Sequence, residues 1–183
     1  MLLNPSDSSL LLIDVQTKLF PKIKEAQTLE NAILDCLEVF YTFTIPIFFS
    51  EQYPKGLGFT TDKVLEKLLS YDAKRFEKTS FSCFPAISKL NKPDRFLKTK
   101  QVILIGIETH ICVLQTSLDL KDKGYQVFVI YEAVGSRKTI DKELAIRRMI
   151  NNGIQVITFE MMLFELLRDS KNKHFKSLTS LIK

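Results

Sequence analysis

Four stretches of this 183-residue chain are apolar almost from end to end: SSLLLIDV (8–15), IPIFFSE (45–51), QVILIGI (101–107) and YQVFVIYEA (125–133), with a shorter fifth, QVITF, at 155–159. A strand with one wet face alternates apolar and polar residues. An unbroken apolar run needs cover on both faces, which is the condition of a strand inside a parallel sheet flanked by helices. The intervening segments supply those helices. Thr28 to Phe43 places Ile33, Leu34, Leu37 and Phe40 at helical spacing, and Asp62 to Ser70, Thr109 to Lys123 and Thr139 to Asn152 read the same way. Gly124 and Gly153 follow the last two as C-caps. Strands alternating with helices predict right-handed βαβ units and hence an α/β fold: a three-layer α/β/α sandwich with a mostly parallel, Rossmann-like central sheet. One domain over residues 1–183 is expected, because a chain of this length buries about 70% of the surface its unfolded form exposes.

Composition narrows the setting. Cys36, Cys83 and Cys112 are odd in number and form no CxxC pair, which argues against a disulfide scaffold or a structural zinc site and for a reducing, cytoplasmic location. The apolar run Leu10 to Ile13 is stopped by Asp14, too short for a signal-peptide core or a membrane span, so no membrane association is expected. The net charge is +5, with lysine-rich stretches at Lys89 to Lys100 and Arg168 to Lys176. Without interleaved aromatic platforms these read as solvated faces, and no nucleic-acid partner is predicted. The turn after the first run, DVQTKLF, has no glycine to cradle a pyrophosphate, so a dinucleotide cofactor is not expected either. Residues 52–100 are the least regular portion and lie where long connections at the carboxyl edge of such a sheet build sites. In the tail, MMLFELL and SLTSLI read as helices packing on the body or on a second subunit.

Three residues carry chemical promise together. Cys112 falls in the first turn after run 101–107, where unpaired N–H groups and the positive helix end are expected to lower a thiol's pKa and to stabilise an oxyanion. Asp14 closes the first run and should emerge at the same sheet edge, within reach to act as a base. An ammonium from Lys78 would keep both groups ionised.

In order and placement, LLLIDVQ with Asp14, KTSFSCF with Lys78 and GIETHICV with Cys112 resemble the three signature segments of the isochorismatase-like cysteine hydrolases. The likeness runs over nearly the whole chain. EQYPKGLG and GIETHICVLQTSLDL are most similar to the isochorismatase domain-containing subgroup. The resemblance implies a catalytic triad of Asp14, Lys78 and Cys112, a cis peptide between Ile107 and Glu108, and oxyanion donors in the backbone N–H groups of Glu108 and Cys112. Gln16, two residues past Asp14, is a candidate pocket residue by period two. Glu51 and Tyr53, in a loop with Lys55 and Gly56 expected to act as a lid or specificity loop, are further candidates, together with Cys83 and Thr109. His110 stands two positions before Cys112 and so faces elsewhere, as a structural or rim residue.

Nicotinamidases of the family bind a metal through an aspartate and histidines after the second strand. Here that segment reads SEQYPKGLG, and the chain's two histidines are His110 and His174, so the resemblance implies no metal and no cofactor. Isochorismatase proper does not use the cysteine; its presence points to attack on a carbonyl. The expected function is hydrolysis of a small amide, ureido or ester substrate through a thioester, by a homo-oligomer. The alternative is a non-catalytic binding or scaffolding protein on the same fold.

Overall fold

The computed structural model describes residues 1–90 and 99–182. Most of the Lys89 to Lys100 stretch, with its Pro-bearing loop, therefore lies outside the described residues. Strands β1 (Ser8–Ile13), β2 (Ile47–Gln52), β3 (Lys74–Lys78), β4 (Gln101–Ile107), β5 (Gln126–Gly135) and β6 (Gln155–Ile157) form one parallel sheet in the order β3-β2-β1-β4-β5-β6. The helices are α1 (Ala26–Thr42), α2 (Pro54–Leu57), α3 (Asp62–Ser70), α4 (Phe84–Ile87), α5 (Leu114–Asp122), α6 (Thr139–Asn151), α7 (Phe159–Leu167) and α8 (Phe175–Thr179).

Every residue of β1 and β4 is buried, as unbroken apolar runs require. Alternation along the strands divides the core in two. Leu10 and Leu12 of β1 join Ile103 and Ile105 of β4 under α1, α3, α7 and α8, while Leu11, Ile13, Val102 and Leu104 face α4, α5 and α6. These helices and the sheet make the three layers. The tail helices pack on the body: Met162, Leu163, Leu166 and Leu178 belong to the α1-side core.

Three local differences from the sequence reading have physical causes. β3, KRFEK, is an edge strand missed by a search for apolar runs, because only Phe76 and Lys78 are buried and the other three residues are exposed. Charges along a sheet edge also discourage pairing with a second chain. β1 stops at Ile13 because Asp14 turns into the left-handed region, with φ 52°. The helix expected from Thr109 opens instead with one turn of π-helix, Thr109–Val113, before α5.

Gly106 sets how closely β1 and β4 approach. It pairs in register with Ile13 and has φ 113°; a Cβ there would lie 2.2 Å from the Ile13 carbonyl oxygen and 2.7 Å from its nitrogen. Neither atom can yield without separating the strands next to Asp14. Gly106→Ala is therefore expected to cost about 2–4 kcal/mol, from backbone strain and overpacking together. Urea unfolding monitored by circular dichroism would show it, and an unchanged midpoint would contradict this account.

Candidate active site

The strand order reverses between β1 and β4, and in open parallel sheets the crevice beyond the carboxyl ends at such a switch point is where ligands bind. Asp14 leaves β1 there, and the peptide after β4, Ile107–Glu108, is cis. The π-turn then carries Cys112 over the same crevice. Lys78 reaches it from the end of β3, two strands away.

Lys78 Nζ donates to Asp14 Oδ2 at 2.6 Å, and both side chains are almost wholly out of solvent. The same ammonium faces Gln52 Oε1 at 2.7 Å and the carbonyl oxygens of Phe81 at 3.0 Å and Ser80 at 3.2 Å. Asp14 Oδ1 accepts from the Ser50 hydroxyl at 2.7 Å. Cys112, 8% exposed, lies close enough to Asp14 for each side chain to shift the other's titration. The three residues singled out from the sequence thus meet at one point.

Burial pushes Asp14 above the ordinary carboxylate range, against the pull of the Lys78 charge and of hydrogen bonds from Lys78, Ser50 and Cys112. Burial is the largest influence on Lys78 and would depress it, but Asp14, together with the nearby Cys83 and Cys112, raises its pKa on balance and favours the ammonium form. The expected depression of the Cys112 thiol does not occur. Burial pushes this thiol well up, the negative charge of Asp14 adds to the rise, and Lys78 offsets only part. A helix terminus is worth only about 0.3–1 kcal/mol at an exposed site, less than the desolvation of a thiolate. At rest the thiol keeps its proton, next to the Asp14–Lys78 pair.

The remaining candidates divide. Tyr53, 55% exposed, lines with Phe76, Lys78, Thr79 and Ser80 a cavity of about 640 Å³ on the outer side of Lys78. Asp14 and Cys112 do not border it. Thr109 is fully buried next to the cis peptide, and its hydroxyl has no partner among the described residues. Cys83 is buried, its thiol directed at Ser50 Oγ 3.5 Å away. Glu108 is buried by its ion pair with Arg137, 3.1 Å away. His110 turns to Ser136, with Nδ1 3.0 Å from Oγ, and so away from Cys112.

Glu51 and Gln16 direct their polar groups elsewhere than at Cys112. Glu51 lies on the opposite face of β2 from Ser50 and Gln52, where its carboxylate accepts from Thr60 N–H (2.7 Å), Thr60 Oγ1 (2.8 Å) and Arg75 Nε (2.8 Å). The Gln16 amide is spent on backbone: it donates to Gly58 O at 2.6 Å and Gln52 O at 3.1 Å, and accepts from Gln52 N–H at 2.8 Å. With Thr17 N–H on Phe59 O at 2.9 Å and Lys18 N–H on Leu57 O at 3.2 Å, these bonds pin the loop expected to be a lid. Ser50 and Gln52 are the residues the sequence reading missed. Counting by two along IFFSEQ from either one separates them from Glu51, but only once the strand's inner face is known.

Because the Asp14–Lys78 pair is buried, Lys78→Met strands a carboxylate. The variant is expected to lose about 3 kcal/mol at neutral pH. Without the ammonium, the Asp14 pKa in the folded chain rises further above its unfolded value, so the native state takes up a proton as pH falls. The loss should therefore shrink toward acid pH, and adding Asp14→Asn should recover part of it at neutral pH. Urea melts across that range measure it; a loss independent of pH would contradict the buried pair.

The isochorismatase domain model matches residues 8–161, a span that contains Asp14, Lys78 and Cys112. Isochorismatase family protein 1B of Dictyostelium discoideum is 36% identical over 182 residues, covering 98% of this chain and 87% of that protein. Isochorismatase domain-containing protein 2A of Mus musculus is 35% identical over 179 residues, covering 98% of this chain and 84% of that protein. Among solved structures, the MAR1 ribonuclease of Caenorhabditis elegans superposes with a TM-score of 0.89 at 34% identity, covering 100% of this chain and 92% of its own. The nicotinamidase SaPncA of Staphylococcus aureus does so with a TM-score of 0.72 at 25% identity, covering 82% of this chain and 98% of its own. With a family domain over most of its length and relatives matched nearly end to end, this chain belongs to the isochorismatase family.

Proposed function

We propose that the protein is a cysteine-dependent hydrolase that cleaves a small amide, ureido or ester substrate through a thioester. The observation that carries this reading is the buried Asp14–Lys78 pair at 2.6 Å with the Cys112 thiol beside it. Asp14 takes the thiol proton as sulfur attacks the carbonyl carbon, so the thiolate forms only as it reacts. The backbone N–H groups of Glu108 and Cys112 receive the negative charge that develops on the carbonyl oxygen. Collapse of the tetrahedral intermediate breaks the bond to the leaving nitrogen or oxygen, which takes the proton from Asp14. Asp14 then deprotonates water, which attacks the thioester; the acid departs and the proton returns to sulfur. Lys78 stays charged throughout and holds Asp14 in place.

The likeness to a nicotinamidase supports C–N cleavage as the class, while a relative called a ribonuclease makes RNA the competing substrate. The site favours a small molecule, with Asp14 1% and Cys112 8% exposed. Among the described residues no helix is long and apolar enough to cross a membrane. We also propose that the chain self-associates through α6, whose outer face exposes Ile140 and Leu144 at adjacent turns.

Turnover of a panel of small amides, ureides and esters, with an RNA oligonucleotide as an additional arm, tests the chemistry. Cys112→Ala, which leaves the buried ion pair in place, and Asp14→Asn, which keeps a polar partner for Lys78, are expected to remove activity by at least about 10³-fold, and acid quenching of wild type should trap an acyl adduct on Cys112. Activity retained in either variant overturns the mechanism; tight binding of panel members without turnover by wild type would favour the binding-protein alternative. For association, light scattering is expected to show an oligomer that Leu144→Glu shifts toward monomer. A monomeric wild type would overturn that proposal.

A further inference from the structure

Ser50 pairs in register with Ile13 and holds Asp14 at two points. Its carbonyl oxygen accepts the Asp14 N–H at 3.2 Å, and its hydroxyl donates to Asp14 Oδ1 at 2.7 Å. The second contact matters for direction. Lys78 occupies the other carboxyl oxygen, Oδ2, so the two donors lie on different atoms and together define the carboxylate plane. A serine hydroxyl has one proton and two lone pairs. The Cys83 thiol donates to Ser50 Oγ at 3.5 Å, and the Cys83 backbone is itself fixed by its N–H donating to Thr116 Oγ1 at 2.9 Å. With the thiol donating to it, the Ser50 hydroxyl is left to direct its single proton at Asp14. Burial holds the Cys83 thiol pKa at about 11, so it remains a donor at neutral pH. Ser50 is 1% and Cys83 0% exposed, and water does not compete for either contact.

We infer that Ser50, with Cys83 behind it, is a positioning residue that fixes the plane of the Asp14 carboxylate so that its remaining lone pair meets the Cys112 thiol. This rests on the reading of Asp14 as the base. Without the hydroxyl, Asp14 is held by Lys78 alone and can rotate about that contact. Its charged form also loses a hydrogen bond, which raises its pKa. A role limited to packing would alter stability and leave the titration in place.

The reaction of Cys112 with iodoacetamide, followed by peptide mass spectrometry across acid and neutral pH, reports this without knowledge of the substrate. Wild type, Ser50→Ala, Ser50→Thr, Cys83→Ala and Asp14→Asn would be compared as full chains with matched circular dichroism. Ser50→Ala is expected to slow the reaction by about tenfold and to move its acid limb upward. Ser50→Thr, which keeps the hydroxyl, should restore both rate and limb, and Cys83→Ala should give a smaller shift in the same direction. An unshifted limb in folded Ser50→Ala, or equal slowing in Ser50→Thr, overturns the inference. Should Ser50→Ala not fold, an unshifted limb in Cys83→Ala does so instead. An Asp14→Asn rate equal to wild type would overturn the base reading itself, a distinct outcome.

Discussion

A carboxylate and an ammonium taken out of water lose more through desolvation than their mutual attraction returns, unless further polar partners are supplied. For Asp14 and Lys78 those partners come from separate parts of the fold. Ser50 and Gln52 arrive on β2, the Ser80 and Phe81 carbonyls on the turn after β3, and Asp14 itself on the turn after β1. The pair is stable only where all of these meet, so the register of three adjacent strands is tied to the site. Ser50 opposite Ile13, and Lys78 opposite Gln52, are the register positions that deliver it.

The loop from Tyr53 to Thr60 shows the same dependence from the other side. It leaves β2 just after Gln52 and would be free to swing, but the Gln16 amide and the Glu51 carboxylate bind its far end. Both residues flank candidate site positions in sequence, and both spend their polar groups on backbone or on Thr60 and Arg75. The site is therefore framed by a loop tied down at its far end. Preorganisation of this kind suits a mechanism in which charge moves over short distances among fixed groups.

The sheet was legible because double burial leaves an unmistakable mark: β1 and β4 are buried throughout, β2 as far as Glu51, and β5 from Val127 to Ile130. β3 left none, since an edge strand with three exposed charged residues looks like any polar segment, and Lys78 at its end could be singled out only by charge balance with Asp14 and Cys112 and by the KTSFSCF likeness. Asp14 and Cys112 were legible from position, each just beyond a buried strand at one edge. The bonding of Gln16 to the 52–58 backbone and of Glu51 to Thr60 and Arg75 was not legible, because the sequence shows neighbours along the chain and not which face of a strand end looks into the crevice. Ser50 was hidden for the same reason, as a small polar residue inside an apolar run. The thiol's titration was misjudged because a helix terminus can be read from sequence whereas the burial of a side chain cannot.

That last point bears on how such a site works. A thiol ionised at rest at a helix end would face a nearby anionic Asp14, and the two charges would repel in a medium that screens them poorly. Burial, which raises the thiol pKa, avoids this by leaving the proton on sulfur. Under the proposed mechanism the negative charge then passes from Asp14 through sulfur to the substrate oxygen as a single unit, with Lys78 beside its starting point and backbone N–H groups at its end. At no stage do two uncompensated anions share the crevice. A raised thiol pKa, which would count against a nucleophile acting alone, is thus consistent with one whose base is built in beside it, and it leaves the resting sulfur less open to oxidation.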